Sequence, residues 1–149
     1  MKLNLKLNRA QILSQLRANM VAIASIIVAL TGMAYNTWRN ERTEINHNVR
    51  AAAFETLKNL GEAQIIVEYA HFQKDRTRGD PLQGLGHMIY LRDLAQVLPA
   101  PGPAEGERLW AAWRDNVDKL EADDEAMIKI TDEIQLLRLT TLEVLASLH

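Results

Sequence analysis

The chain of 149 residues has no cysteine, few aromatic residues and no strand signal. The lack of cysteine excludes disulfide bonds, thiol catalysis, thiolate metal sites and a lipidated cysteine anchor. No sustained run alternates apolar and polar residues, and no hairpin dipeptide separates β-branched stretches, which argues against a β-sheet. The sequence also lacks the concentrated basic face that nucleic acid requires. We therefore expect an all-α protein without a nucleic-acid partner.

Charged residues are absent from residues 18–38, and the centre of this stretch, from Met20 to Thr31, is almost wholly aliphatic. Twenty-one helical residues rise roughly 32 Å, close to the roughly 30 Å thickness of the hydrocarbon core of a bilayer. The sequence therefore predicts a single transmembrane helix over residues 18–38. Tyr35 and Trp38 lie near its end and are the residue types that settle at a membrane interface.

Acidic residues are absent before this span, where four basic residues lie: Lys2, Lys6, Arg9 and Arg17. Residues 39–149 carry 13 basic and 19 acidic residues, a formal charge of −6. Because positively charged flanks stay in the cytoplasm, we expect residues 1–17 to form a cytoplasmic segment and residues 39–149 to form a periplasmic domain. The expected location is the bacterial inner membrane, with the lipid bilayer as the first partner.

Two other interpretations of the apolar run remain open. Small residues at Gly32 and Ala34 allow a signal peptidase to remove residues 1–34. Against cleavage, no proline and no turn cluster separates the run from the helical pattern that follows it. Alternatively the run is the core helix of a soluble protein, which would have to hide three polar side chains: Asn19, Ser25 and Thr31.

Residues 39–149 are patterned as helices throughout. Apolar residues recur at steps of three and four over residues 45–70, which predicts one helix continuing to about Gln73. Glycine and proline predict a loop over residues 76–86, followed by a short helix over residues 87–98. Pro103 favours a new helix starting near Ala104. With a final helix over residues 123–148, we predict a transmembrane helix that continues into an antiparallel helical bundle.

The final helix carries apolar side chains at alternating steps of three and four, the seam of a bundle or coiled coil. We predict this seam as a partner-facing surface: Met127, Ile130, Ile134, Leu137, Thr141, Val144 and Leu148. Four further leucines widen the apolar surface beyond what one short neighbour covers: Leu136, Leu139, Leu142 and Leu145. We therefore expect the chain to form a homo-oligomer or to bind a membrane protein.

The segment that leaves the span is an apolar helix ending in Asn-x-Trp, followed by Asn, Glu and Arg. It resembles a group of small bacterial inner-membrane proteins of the domain-of-unknown-function kind. This resemblance implies one N-terminal span and a helical remainder, and it implies no activity. Thr37 and Arg39 depart from the pattern, which more often doubles Asn around the Trp. The residues that carry the resemblance are Ala29, Leu30, Tyr35, Asn36, Thr37, Trp38, Arg39, Asn40, Glu41 and Arg42.

Two Glu-x-x-His triplets, Glu44 with His47 and Glu68 with His71, have the spacing that di-iron and di-manganese bundles use. On one continuous helix the two histidines lie roughly 36 Å apart, so a shared site needs a sharp hairpin at residues 59–61. The apolar pattern passes Gly61 without interruption and argues against that hairpin. We therefore expect no metal and no other cofactor, and these four residues are the alternative metal site.

Two further groups of side chains can be interpreted either as structural or as functional. An acidic cluster offers carboxylates for Ca²⁺ or Mg²⁺, but its spacing matches no calcium loop, and a helix N-cap at Asp123 or Asp124 is favoured. Trp110 and Trp113, three residues apart, either line a small-molecule pocket with Tyr90 or fill the core. The acidic cluster consists of Asp118, Glu121, Asp123, Asp124 and Glu125.

Three classes of function follow. The favoured one is a non-enzymatic, membrane-anchored interaction or accessory protein, since no serine, histidine and carboxylate grouping suggests catalysis. The second is a periplasmic sensory or ligand-binding bundle, which would act through a partner because no output segment is present. The third is a metal-binding protein or enzyme that uses the two Glu-x-x-His triplets.

Overall fold

The structure is a computed structural model that describes residues 9–148, except for the side chains of Arg9, Ala10 and Leu16. This range contains five α-helices and no strand, which confirms the predicted all-α class. Lys2 and Lys6, on which the predicted orientation partly depends, lie outside the described residues. The helices are α1 (Arg9–Ala18), α2 (Met20–Glu68), α3 (Pro81–Ala95), α4 (Gly102–Asn116) and α5 (Asp124–Ser147).

The described part of the chain divides after residue 43 into two compact units, residues 9–43 and residues 44–148. In the first unit, α1 covers much of the predicted cytoplasmic segment, and a turn at Asn19 separates it from α2. Among the described residues one helix, Met20–Gln73, is long and apolar enough to cross a membrane. Its most apolar window has a mean hydropathy of 1.6, and none of that window is buried.

The second unit is an antiparallel bundle built from the last part of α2 and from α3, α4 and α5. Val49 and Ala53, near the start of the bundle part of α2, share a cluster with Val144 near the end of α5. At the other end of α2, the His71 ring contacts the backbone of Leu120, just before α5 begins. α2 and α5 therefore run in opposite directions, as predicted.

The core of the bundle receives side chains from all four helices, each of which presents one apolar stripe. Its largest fully buried members are Leu60 and Val67 of α2, Met88 and Leu91 of α3, Leu109 and Trp113 of α4, and Ile130, Ile134 and Leu137 of α5. Two buried threonines in the core donate hydrogen bonds within their own helix. Thr56 donates to the Ala52 carbonyl at 2.8 Å, and Thr141 donates to the Leu137 carbonyl at 2.6 Å.

The predicted loop over residues 76–86 is too long, because α3 begins at Pro81 rather than near His87. Asp80 caps this helix: its side chain accepts a hydrogen bond from the Leu82 N–H at 2.9 Å. Pro81 occupies the first turn, where its missing N–H costs nothing. Gly84 is a helical residue, and its lack of a side chain makes room for Trp113 rather than marking a turn.

The other helix ends lie close to the predicted ones. α2 passes Gly61 without a break and is followed directly by a π-helical turn, Tyr69–Gln73. The helical segment therefore ends at Gln73, where the sequence predicted its end. α4 begins at Gly102, two residues before the predicted restart, and ends in a 3-10 turn, Val117–Lys119. Of the two residues predicted as alternative N-caps of α5, Asp123 and Asp124, Asp123 is the cap, and its side chain accepts hydrogen bonds from the Glu125 and Ala126 N–H groups.

Two glycines in helices provide opposite tests of this packing. A Cβ atom at Gly84 would lie 2.2 Å from Trp113 Cη2, whereas a Cβ atom at Gly61 would meet nothing within 4 Å. Gly61→Ala should therefore raise the free energy of unfolding by about 0.5–1 kcal/mol through helix propensity. Gly84→Ala should lower it by about 1–3 kcal/mol, because the buried indole has no room to move. Chemical denaturation of the full-length protein in detergent measures both, and a stabilised Gly84→Ala variant would contradict this packing.

Candidate functional site

The predicted seam of α5 packs inside the chain. Ile130, Ile134, Leu137 and Thr141 are fully buried and Val144 is nearly so, while Leu148 packs partly against the cluster at the end of α5. Met127 is half-buried at the edge of the core. The seam thus faces the rest of the bundle, and it offers no free surface to a second molecule.

A different face of α5 is apolar and exposed. Leu136, Leu139 and Leu142 are 39%, 59% and 47% exposed, and we call these three residues the outer leucine patch. At about 100° per residue, Leu139 lies roughly 200° around the helix from the buried Leu137. Steps of three place the members of the patch next to one another on the helix surface. Leu145, the fourth leucine expected to widen the surface, packs partly against the cluster at the end of α5.

α2 and the π-helical turn that follows it also expose large apolar side chains that the sequence analysis missed. Phe54, Ile65 and Phe72 are 60%, 52% and 67% exposed. The spacing of 11 residues places Phe54 and Ile65 within about 20° of each other on an α-helical wheel, a pattern that can be read from the sequence. Phe72 lies in the π-helical turn, Tyr69–Gln73. The three residues are roughly 16 and 10 Å apart along the helix, however, so each is a separate exposed residue rather than part of a patch.

The structure does not bring the two Glu-x-x-His triplets together. α2 is continuous from Met20 to Glu68, so no hairpin at residues 59–61 returns Glu44 and His47 to the level of Glu68 and His71. His47 is exposed on α2, far from the π-helical turn that holds His71. Within residues 9–148, no group of three or more histidine, aspartate or glutamate residues could hold a metal ion.

His71 instead links two parts of the backbone. Its Nδ1 lies 2.7 Å from the Leu120 carbonyl oxygen, and its Nε2 lies 3.2 Å from a carboxylate oxygen of Asp124. Because a carbonyl oxygen only accepts hydrogen bonds, Nδ1 is the donor in this contact. The ring is 9% exposed and holds the end of α2 against the turn before α5.

The carboxylates of the acidic cluster have separate structural partners. Asp123 caps α5, Asp124 faces His71, and Glu121 accepts a hydrogen bond from Arg76 at 2.9 Å. Glu125 lies 3.7 Å from Lys129, one turn further along α5. These contacts give four members of the cluster a structural partner, and the cap at Asp123 agrees with the N-cap interpretation that the sequence favoured. The fifth, Asp118, lines a cleft at this end of the bundle.

The three aromatic residues predicted for a small-molecule pocket lie in three different surroundings. Trp113 is buried and lines the same cleft as Asp118. Trp110 is half-buried, with the Arg92 guanidinium 5.3 Å from its ring centroid. Tyr90 lines a shallow pocket beside His87, whose Nδ1 lies 3.1 Å from Asn59 Oδ1. Only Trp113 therefore remains a candidate for ligand contact in a cleft with charged walls.

No family model, no curated protein and no solved structure matches this chain.

Replacing each histidine of the triplets by alanine separates a structural role from a metal role. His71→Ala should lower the free energy of unfolding by about 1–3 kcal/mol, because it leaves the buried Leu120 carbonyl without its donor. His47→Ala is the matched control and should change it by less than about 0.5 kcal/mol, as for other exposed residues. Thermal and chemical unfolding measure both variants. Equal losses in the two would contradict the roles assigned here.

Proposed function

We propose that this chain is a non-enzymatic interaction protein, anchored in the bacterial inner membrane by residues 18–38. Its periplasmic bundle pairs with a second copy of the chain or with another membrane protein. The single observation that carries this proposal is the outer leucine patch, since the predicted seam of α5 is already used by the core. Contiguous apolar surface of this kind typically marks an interaction site.

The anchor is supported by the exposure of the apolar run and by its hydrogen bonds. The hydroxyls of Ser25 and Thr31 each donate to a carbonyl one turn earlier at 2.8 Å, so neither needs a partner outside the helix. This suits a bilayer core, which offers no hydrogen-bond partners. More than half of each of these side chains is exposed: Met20, Val21, Ile26, Ile27, Val28, Leu30 and Met33.

The end of the run has the chemistry of a membrane interface. Tyr35 and Trp38 are both more than half exposed, and their ring centroids lie 6.2 Å apart. The Arg42 guanidinium lies 5.9 Å from the Trp38 ring centroid. An aromatic pair followed by a cation is typical of the headgroup level, where rings are half wet and anionic lipids attract the charge. These contacts support the predicted exit point of the span.

A second copy of the chain is the first expectation for the partner. Copies anchored in one membrane share an orientation, so a two-fold axis along the membrane normal can bring the same patch of two molecules together. Leucines at steps of three on a helix are the pattern with which one helix packs against another. A single-pass protein with this patch is therefore suited to pairing through α5, with itself or with a helix of a neighbouring membrane protein.

The absence of cysteine allows the orientation to be tested with single introduced thiols. Lys58→Cys, at an exposed position of α2, should react with a membrane-impermeant maleimide in cells whose outer membrane is permeabilised. Asn4→Cys, before the span, should react only after the inner membrane is broken. Labelling of Asn4→Cys in unbroken cells would reverse the orientation, and a mature chain without that residue would mean that the run is a cleaved signal peptide.

Site-specific photo-cross-linking in native membranes tests the patch. A photo-reactive residue at position 139 should give an adduct with a second copy or with another membrane protein. The same residue at position 82 is the matched control, because Leu82 is 75% exposed on α3, outside the patch, and should give none. Leu139→Asp should abolish cross-linking from position 142 and change the stability of the fold by less than about 0.5 kcal/mol. No adduct from position 139, or equal adducts from both positions, would contradict the proposal.

A further inference from the structure

A cleft opens at the end of the bundle where α2 ends and α5 begins, and we call it the far-end cleft. It has a volume of about 350 Å³ and lies between the segment 74–80 and the turn 117–121. Its buried lining includes Trp113, Leu120 and Gly79, and most of its exposed lining is charged. An apolar floor with a few polar groups at the rim is the usual form of a small-molecule site.

The walls of the far-end cleft are fixed from several sides. A Cβ atom at Gly79 would lie 2.3 Å from the Ala70 nitrogen, so the backbone of this wall lies directly on the end of α2. Trp113 is held under α3 by its contact with Gly84, and the opposite wall is held by the bond from His71 to the Leu120 carbonyl. The cleft is therefore preformed, which lowers the conformational cost of binding a ligand.

Six charged side chains line the far-end cleft, and four of them already have a structural partner. Arg76 pairs with Glu121 at 2.9 Å. Asp80 caps α3, and Asp75 accepts hydrogen bonds from two backbone N–H groups. Those bonds, from Thr77 first and then from Arg78, hold the pKa of the Asp75 carboxyl below its usual value.

The remaining two charges are one cation and one anion. Lys74 and Asp118 both line the cleft, and neither has an ion-pair partner within the described part of the chain. A ligand that satisfies both must carry a negative and a positive group. The same cleft is also lined by apolar side chains, among them Trp113, Val117 and Leu120.

The backbone at Lys74 provides independent support. Lys74 has a φ of 51°, the left-handed conformation that ends the π-helical turn of α2. Glycine is the residue usually found at such a helix end, because a Cβ atom is unfavourable there. A lysine kept in this strained position at the lip of a cleft points to a function for its side chain.

We infer that the far-end cleft binds a small zwitterion of the α-amino-acid class with an apolar side chain. The carboxylate of the ligand pairs with the Lys74 ammonium, and its ammonium pairs with the Asp118 carboxylate. Its side chain lies on the apolar floor formed by Trp113, Val117 and Leu120. An amine or a carboxylic acid with the same apolar group pairs with only one of the two side chains, Asp118 or Lys74, and binds more weakly.

Isothermal titration calorimetry of the full-length protein in mild detergent tests this inference with a matched set of probes. L-phenylalanine carries both charges, 2-phenylethylamine carries only the ammonium, and 3-phenylpropionate carries only the carboxylate. L-phenylalanine should bind about tenfold more tightly than the singly charged probes. L-leucine, a second amino acid with an apolar side chain, is expected to do the same. The inference is overturned if neither amino acid binds at concentrations up to about 10 mM, or if the three phenyl probes bind equally.

Two variants connect binding to the named residues. Lys74→Gly should raise the melting temperature, because glycine relieves the left-handed strain, while it weakens L-phenylalanine binding about tenfold. Asp118→Asn should weaken binding to a similar extent with little change in melting temperature. Lys58→Gln and Asp93→Asn, at exposed positions outside the cleft, are the matched controls and should bind as the wild type does. Unchanged binding in Lys74→Gly or in Asp118→Asn would overturn the assignment.

Discussion

The continuity of α2 is the constraint on which the rest of the molecule depends. α2 is one uninterrupted helix, Met20–Glu68. Its first part is an apolar run that is exposed on every side, and its second part is buried along one side. The first part has the composition that a bilayer core favours, and the second provides one wall of an antiparallel bundle. Because the helix does not fold back at Gly61, the two Glu-x-x-His triplets stay far apart, and a shared metal site between them is not formed.

The bundle uses its most regular apolar seam internally, and this determines which surface remains for a partner. Ile130, Ile134 and Leu137 fill the core together with side chains of the other three helices. Among its large apolar side chains, α5 leaves exposed Ile128 and the outer leucine patch, and the patch lies on the other side of the helix from the seam. The proposed interaction therefore uses the outer leucine patch, not the α5 seam that the sequence predicted as the partner-facing surface.

Much of the fold follows from patterns in the sequence, and the exceptions have physical causes. The period of the apolar residues predicts the helices, and the sequence narrows the N-cap of α5 to Asp123 or Asp124, of which Asp123 is the cap. The start of α3 was misplaced because Gly84 looks like a loop residue, although it is required by the close approach of Trp113. The far-end cleft could not be predicted, because it depends on which charges pair across loops. That Lys74 and Asp118 have no ion-pair partner among residues 9–148 emerges only when the partners of the other four charges are known.

The most direct test of the anchored interaction protein is native mass spectrometry of the chain extracted from its own membranes in mild detergent. The account predicts a chain that retains residues 1–34 and that is found in an assembly with at least one further protein chain. A monomer that lacks residues 1–34 would contradict both the anchor and the interaction.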